Sequence, residues 1–404
     1  MGRRLAALPL RATCTAALTA MLTAVAAGRP AAAQRPAPVG PPVGSPFAPL
    51  PGPAPTARDL AYARSDATTG QGHLLDLYLP TGTTRPVPVV IFTHGSAWMA
   101  DNGRMDAQAL AAVLNPKGYA VAGVAVRSSA QVRFPGQLYD IKAAIRWLRA
   151  HAATYGLDPA HVGIVGESSG GWTAAMAAVT GDVPELEGHE GPPGGSSAVQ
   201  AAIAFYPPTD FLQMDAWALG PCDPAATLGP PAPGAPARGP LCHDAPTSPE
   251  SRFIGCPIQS CPAKVQAANP VRYISRADPP ILIVHGESDR LVPYAQGELL
   301  YQALNKACHD AVFISLPVAP HGVWYRAWTD PALAAAATRR STASAGCAVE
   351  LPTPYTPSWA TVVEFLDRYL KPAAAQASRP GAPPVRMPAL PSIPTPPRRA
   401  TGTA

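Results

Sequence analysis

His161-Val162-Gly163-Ile164-Val165-Gly166-Glu167-Ser168-Ser169-Gly170 is the stretch that decides how this chain folds. Residues 161–165 form a short apolar, β-branched run, which predicts a buried strand. Gly166-Glu167-Ser168-Ser169-Gly170 then fits G-x-S-x-G, and the small residues of 170–179 predict a helix. Strand, glycine turn and helix in that order push a serine out at the top of a sheet as a nucleophile. The helix that follows aims its N-terminus at Ser168, where developing negative charge is favoured. An ordinary Gly/Ser turn would satisfy the five residues alone, but not their placement between strand and helix.

On either side of this stretch, strand and helix patterns alternate. Residues 74–79 alternate like a half-buried strand, and 87–92 and 121–126 are β-branched runs, the first broken only by Pro88. Ile141, Ala144, Ile145 and Leu148 share one helical face. Further strands are expected at 199–205, 281–284 and 312–316, with a helix at 298–304 and a closing amphipathic helix at Trp359–Leu370. Short apolar strands separated by helices predict an α/β domain with a mostly parallel sheet covered on both faces. Residues 213–266 break the rhythm: they are rich in proline, carry four cysteines and show no clear period. They read as an insertion over the C-terminal edge of the sheet, where such folds bind ligands.

A serine hydroxyl needs a base, and the base needs an orienting acid. Downstream of Ser168, the strand at 281–284 ends in His285-Gly286-Glu287-Ser288-Asp289, just before Val292-Pro293. Asp289 is the candidate acid, with Glu287 as its competitor. After the next strand, Ala319-Pro320-His321-Gly322 places His321 as the candidate base, ahead of His285, His309 and His94. The order Ser, Asp, His is the one this strand–turn–helix context calls for. Upstream, His94-Gly95-Ser96-Ala97-Trp98 follows the strand at 87–93. Small residues there let backbone N–H groups approach a substrate oxyanion. Ser96, Ala97 and Ser169 are the candidate donors, each worth roughly 3–4 kcal/mol in a transition state. Trp98 is a candidate substrate contact or a packing residue.

These motifs together resemble the esterase/lipase branch of the α/β-hydrolases. The residues that carry the likeness are the H-G-x-x-W loop, Gly166 to Gly171, Leu75-Asp76-Leu77-Tyr78-Leu79-Pro80 and the H-G-x-x-D-x-x-V-P run. Among that branch the chain is most similar to bacterial feruloyl-esterase-like and acetyl-esterase-like members, near the hormone-sensitive-lipase group. The likeness covers roughly residues 57–371 apart from the cysteine-rich insertion. It implies an α/β-hydrolase fold and a Ser-His-Asp ester hydrolase working through an acyl-enzyme. Two departures stand out: Ser96 and Ala97 where relatives often have H-G-G-G, and the insertion, which leaves substrate choice open.

The ends have a different texture. Arg3 and Arg4 followed by the apolar run at 12–27 and the small residues Ala31, Ala32 and Ala33 predict an export signal over 1–33. Residues 34–56 and 372–404 are Pro/Ala-rich and read as a disordered leader and tail, leaving 57–371 as the domain. The apolar run is short of the roughly 20 residues a membrane span needs. The net charge of +5 also comes from the ends, which carry nine arginines and no acid. Setting those aside leaves 22 basic against 26 acidic side chains, and a mildly acidic core argues against nucleic-acid binding.

Cys14 lies in the signal, so six cysteines would remain in an exported chain, an even number that reads as disulfides. Closeness in sequence favours Cys222–Cys242 and Cys256–Cys261, leaving Cys308–Cys347, although spacing does not dictate connectivity. No cysteine–histidine spacing suits zinc, and no cofactor is implied. The sequence therefore predicts a secreted carboxylic-ester hydrolase acting on a small-molecule or polymer-linked ester. A prolyl-oligopeptidase-type peptidase or an amidase keeps the same triad, and a non-catalytic binding protein is the third reading. Oligomeric state is not written in the sequence.

Overall fold

The β-branched runs line up as neighbours in one large mixed sheet. The computed structural model describes residues 50–64, 70–181, 183–226, 228 and 240–371. The predicted signal, most of the leader and the whole of the expected tail lie outside the described residues. Among the latter the strands are β1 (Ala57–Ala61), β2 (Leu74–Tyr78), β3 (Val87–Thr93), β4 (Ala120–Val124), β5 (Leu157–Glu167), β6 (Ala201–Phe205), β7 (Ile281–Gly286), β8 (Ala311–Leu316), β9 (Thr338–Ala343) and β10 (Ala348–Pro354). Helices are α1 (Ala107–Leu114), α2 (Gly136–Ala150), the short α3 (Ala152–Tyr155), α4 (Ser169–Val179), α5 (Pro249–Ile254), α6 (Pro262–Ala267), α7 (Tyr294–Lys306), the short α8 (Pro331–Ala334) and α9 (Trp359–Leu370).

The strand order is β1-β2-β4-β3-β5-β6-β7-β8-β9-β10. Neighbours from β4 through β8 are parallel, and the outer pairs are antiparallel. Alternate residues of β3 enter different cores. Val89 and Ile91 pack with α2 and α4, whereas Val90 and Phe92 pack with α1 and α9. Burial on both faces is why these strands read as continuous apolar runs. Pro88, which lacks an N–H, sits where the β3–β5 register shifts between Val87 and Val89, so the irregularity absorbs the missing donor.

The strand order reverses around β3: β4 lies on one side and β5 on the other. Ligands of open α/β sheets bind beyond the carboxyl ends of strands at such a switch point. Ser168 follows β5 and the 94–98 loop follows β3, so both emerge there.

Three differences from the sequence pattern have physical causes. Residues 50–56 hydrogen-bond to the domain: Gln108 Nε2 donates to the Leu50 carbonyl and the Thr56 N–H to Leu77. The β9–β10 hairpin carries no strand signal because Thr338–Ala343 is polar and Ala348–Pro354 is exposed along its length, so neither shows apolar alternation. The insertion is not aperiodic. Ser248 accepts the Ser251 N–H and Pro249 opens α5, a capped start that is visible in the sequence. Phe253, Ile254, Ile258 and Val265 from this segment are buried in the core.

Candidate active site

The elbow is built by close backbone approach. A Cβ on Gly170 would lie 2.1 Å from the Thr93 carbonyl oxygen, and one on Gly166 2.1 Å from that of Gly170. Only glycine lets β3, β5 and α4 meet so tightly. Ser168 itself adopts φ 56°, ψ −124°, outside the regions an L-residue prefers. Such strain is held by the surrounding structure and lifts the side chain clear of the sheet.

The His321 Nε2 lies 3.0 Å from Ser168 Oγ, and its Nδ1 lies 2.8 Å from Asp289 Oδ2. The other oxygen of Asp289 accepts the N–H groups of Leu291 and Val292, at 2.8 and 2.9 Å, which fixes the carboxylate on its turn. Asp289 is buried, and burial pushes its carboxyl up, but the His321 and His285 imidazoles outweigh this and hold it below the ordinary range. Burial pushes His321 down, yet the Asp289 carboxylate and the more distant Glu167 leave it above its ordinary value. Glu287 takes no part: it is exposed and accepts a hydrogen bond from Ser315 Oγ.

The 94–98 loop departs from expectation at one residue. The Ser96 N–H donates to Ser169 Oγ at 2.9 Å, so it is occupied and leaves the set of candidate donors. Ala97 and Trp98 both have positive φ, 50° and 58°. The Ala97 N–H and that of Ser169, first residue of α4, remain as candidates, the latter an N–H that a helix start cannot satisfy internally. Trp98 is only 4% exposed. Its ring stacks on Phe253 at 4.4 Å and meets Phe211 and Trp172 edge-on, so most of it is packing, although it also lines the cavity beside Ser168.

Sequence reasoning missed Glu167, which occupies the variable place inside G-x-S-x-G. It is buried, accepts the Gly95 N–H and approaches His94 Nδ1 at 3.2 Å. The Tyr206 hydroxyl faces it. Burial first, and this carboxylate second, keep that hydroxyl protonated far above the usual tyrosine range. The Tyr206 ring in turn packs 4.5 Å from the His321 ring. One buried acid therefore ties the 94–98 loop to the wall behind His321. His243 and Glu250 of the insertion were also missed, and they line the cavity with Ser168 and Ser169.

A family model described as BD-FAE matches residues 75–304. The chain belongs to that family. The BD-FAE match takes in Ser168, Asp289 and the insertion, and ends before His321. The chain is 30% identical over 282 residues to the esterase LipQ of Mycobacterium tuberculosis, covering 67% of this chain and 59% of LipQ. It is 30% identical over 246 residues to the probable carboxylic ester hydrolase LipM of the same organism, covering 60% and 50%. The chain thus spans half to three-fifths of the length of these relatives. A truncated carbohydrate esterase from gut microbiota superposes with a TM-score of 0.56 at 31% identity, covering 67% of this chain and 92% of that one. The BD-FAE chain accordingly has the α/β-hydrolase fold. Among the described residues, no helix is long and apolar enough to cross a membrane, and no group of three or more His, Cys, Asp or Glu side chains could hold a metal ion.

Proposed function

We propose that the protein is a secreted carboxylic-ester hydrolase that works through an acyl-enzyme on Ser168. The observation that carries this reading is the continuous path from Asp289 through His321 to Ser168 Oγ, with links of 2.8 and 3.0 Å. In the reaction His321 Nε2 takes the hydroxyl proton as Ser168 Oγ attacks the ester carbonyl. The N–H groups of Ala97 and Ser169 receive the oxyanion. The tetrahedral intermediate collapses, the alcohol leaves with the proton from His321, and the acyl group stays on Ser168. Water, activated by the same imidazole, then releases the acid. Asp289 holds the imidazole in the required tautomer and stabilises its cation.

The relatives' names support the class of bond: LipQ is named an esterase and LipM a probable carboxylic ester hydrolase. The solved neighbour from gut microbiota is named a carbohydrate esterase, which points to esters carried on sugars. Export is supported by the N-terminal Arg3-Arg4, the apolar run behind it and six further cysteines that fall into three pairs.

The test is a screen of p-nitrophenyl esters of rising acyl length, hydroxycinnamoyl esters, acetylated sugars and a proline-containing peptide amide, each with a Ser168→Ala control. Ester turnover that falls by several orders of magnitude in the variant is expected. Turnover of the peptide amide alone, or activity retained by Ser168→Ala above a few per cent, overturns the reading.

A further inference from the structure

The insertion places a second acid–imidazole pair beside the nucleophile, and the hydrolytic steps leave it unused. His243 and Glu250 are 2% and 3% exposed, and His243 Nδ1 lies 3.0 Å from Glu250 Oε1. Both line the narrow cavity that also holds Ser168, Ser169, Ala97 and Trp98. The second carboxylate oxygen, Glu250 Oε2, is buried with no hydrogen-bond partner among the described residues. A buried carboxylate oxygen without a donor is costly, so one kept in a folded protein calls for a partner.

The pair is held in place from several directions. The Cys222–Cys242 bridge ends one residue before His243. Asp215 accepts the N–H groups of His243 and Asp244, at 2.7 and 3.0 Å. Ser248 caps α5, which carries Glu250, and Phe253 on the same helix stacks on Trp98. Burial pushes His243 down, but Glu250 outweighs it and keeps the imidazole charged to higher pH than usual. His243 takes up Oε1, so Oε2 is the acceptor that the pair leaves over. A charged imidazole beside it suits an uncharged O–H donor better than a cation.

We propose that Glu250 Oε2 is a subsite that accepts a free hydroxyl of the substrate near the ester bond cleaved at Ser168. This rests on the esterase reading and adds to it a selecting atom from the insertion.

The experiment compares kcat/KM for a monoacetylated methyl xylopyranoside with analogues in which each remaining hydroxyl is replaced in turn by hydrogen. The full exported chain is used, with Glu250→Gln and Glu250→Asp as variants. In Glu250→Gln the amide oxygen stays with His243 and an NH2 faces the cavity, a donor where an acceptor was needed. In Glu250→Asp the charge remains but the oxygen is withdrawn by one methylene. Loss of one particular hydroxyl should lower wild-type kcat/KM by roughly tenfold or more. In whichever variant folds, the same replacement should change kcat/KM by less than about threefold. Wild-type enzyme that cleaves the acetate yet treats every analogue alike overturns the subsite and leaves the esterase reading standing. Variants that discriminate as strongly as wild type also overturn it. A wild-type chain that cleaves none of the esters, p-nitrophenyl acetate included, overturns the esterase reading instead.

Discussion

Asp289 Oδ2 sits 2.8 Å from His321 Nδ1, while Glu287, two residues earlier on the same turn, is hydrogen-bonded to Ser315. The difference is burial. Asp289 is 1% exposed and Glu287 faces solvent, so of these two acids it is Asp289 that acts on the imidazole across a medium of low dielectric. Replacing Asp289 with Asn should lower kcat by roughly a thousandfold or more, because the amide no longer selects the working tautomer. Glu287→Gln should stay within about threefold of wild type. Parallel kinetics on the two variants check this, and equal losses would reject the assignment.

The pH profile follows from the same pair. His321 must be neutral to accept the serine proton, and Asp289 stabilises its charged form. The folded value is therefore raised above 6.5, and activity is lost as pH falls through a midpoint higher than that of a free imidazole. Glu167 acts in the same direction, so Glu167→Gln should move the acid limb of kcat/KM to lower pH. The variant also weakens the hold on the Gly95 N–H, and kcat should fall by a factor smaller than the ~100 of a deleted oxyanion donor. A limb that stays put or moves to higher pH would show that Glu167 does not act on the base.

Phe253 ties the insertion to the oxyanion loop through its stack on Trp98 and is fully buried. Phe253→Ala should cost about 3–5 kcal/mol of stability. It should also loosen Trp98 and the loop it closes, so kcat should fall in protein that is still folded. Denaturant unfolding beside kinetics at low temperature separates the two effects. A stability loss with kcat unchanged would mean the stack serves the fold alone.

Six of the seven cysteines fall into the pairs Cys222–Cys242, Cys256–Cys261 and Cys308–Cys347, with Cα separations of 4.8, 6.4 and 4.8 Å. All lie within the reach of a disulfide. Unfolding the protein, purified without reductant, should expose no reactive thiol among them. Replacing Cys222 and Cys242 together with Ser should cost about 2–4 kcal/mol. Because Cys242 precedes His243, it should also raise KM for the acetylated xyloside. Titration that finds two or more thiols per chain would refute the oxidised state.

Much of the molecule is legible in the sequence, since much of it is decided within a window of about ten residues. The β-branched runs at 87–92 and 281–284 and the helical spacing at Trp359–Leu370 predict buried strands and an amphipathic helix, because a local period selects which face can be buried. The elbow at Ser168 is legible for the same reason: its glycines, strand and helix are contiguous. Other features depend on atoms far apart in the chain. Ser96 looks like a free donor until its N–H meets Ser169 Oγ, 73 positions away. Glu167 looks like filler in a motif until the fold brings Gly95 onto it across 72 positions. Glu250 sits on the short α5 of a proline-rich segment, and only the packing of that helix against the aromatic cluster puts it beside Ser168. Local order along the chain is enough to say where a nucleophile can stand. Which backbone donors stay free, and which carboxylate keeps an unpaired oxygen, is settled only in the folded neighbourhood, because hydrogen-bond satisfaction arises between distant segments and leaves no local period to read.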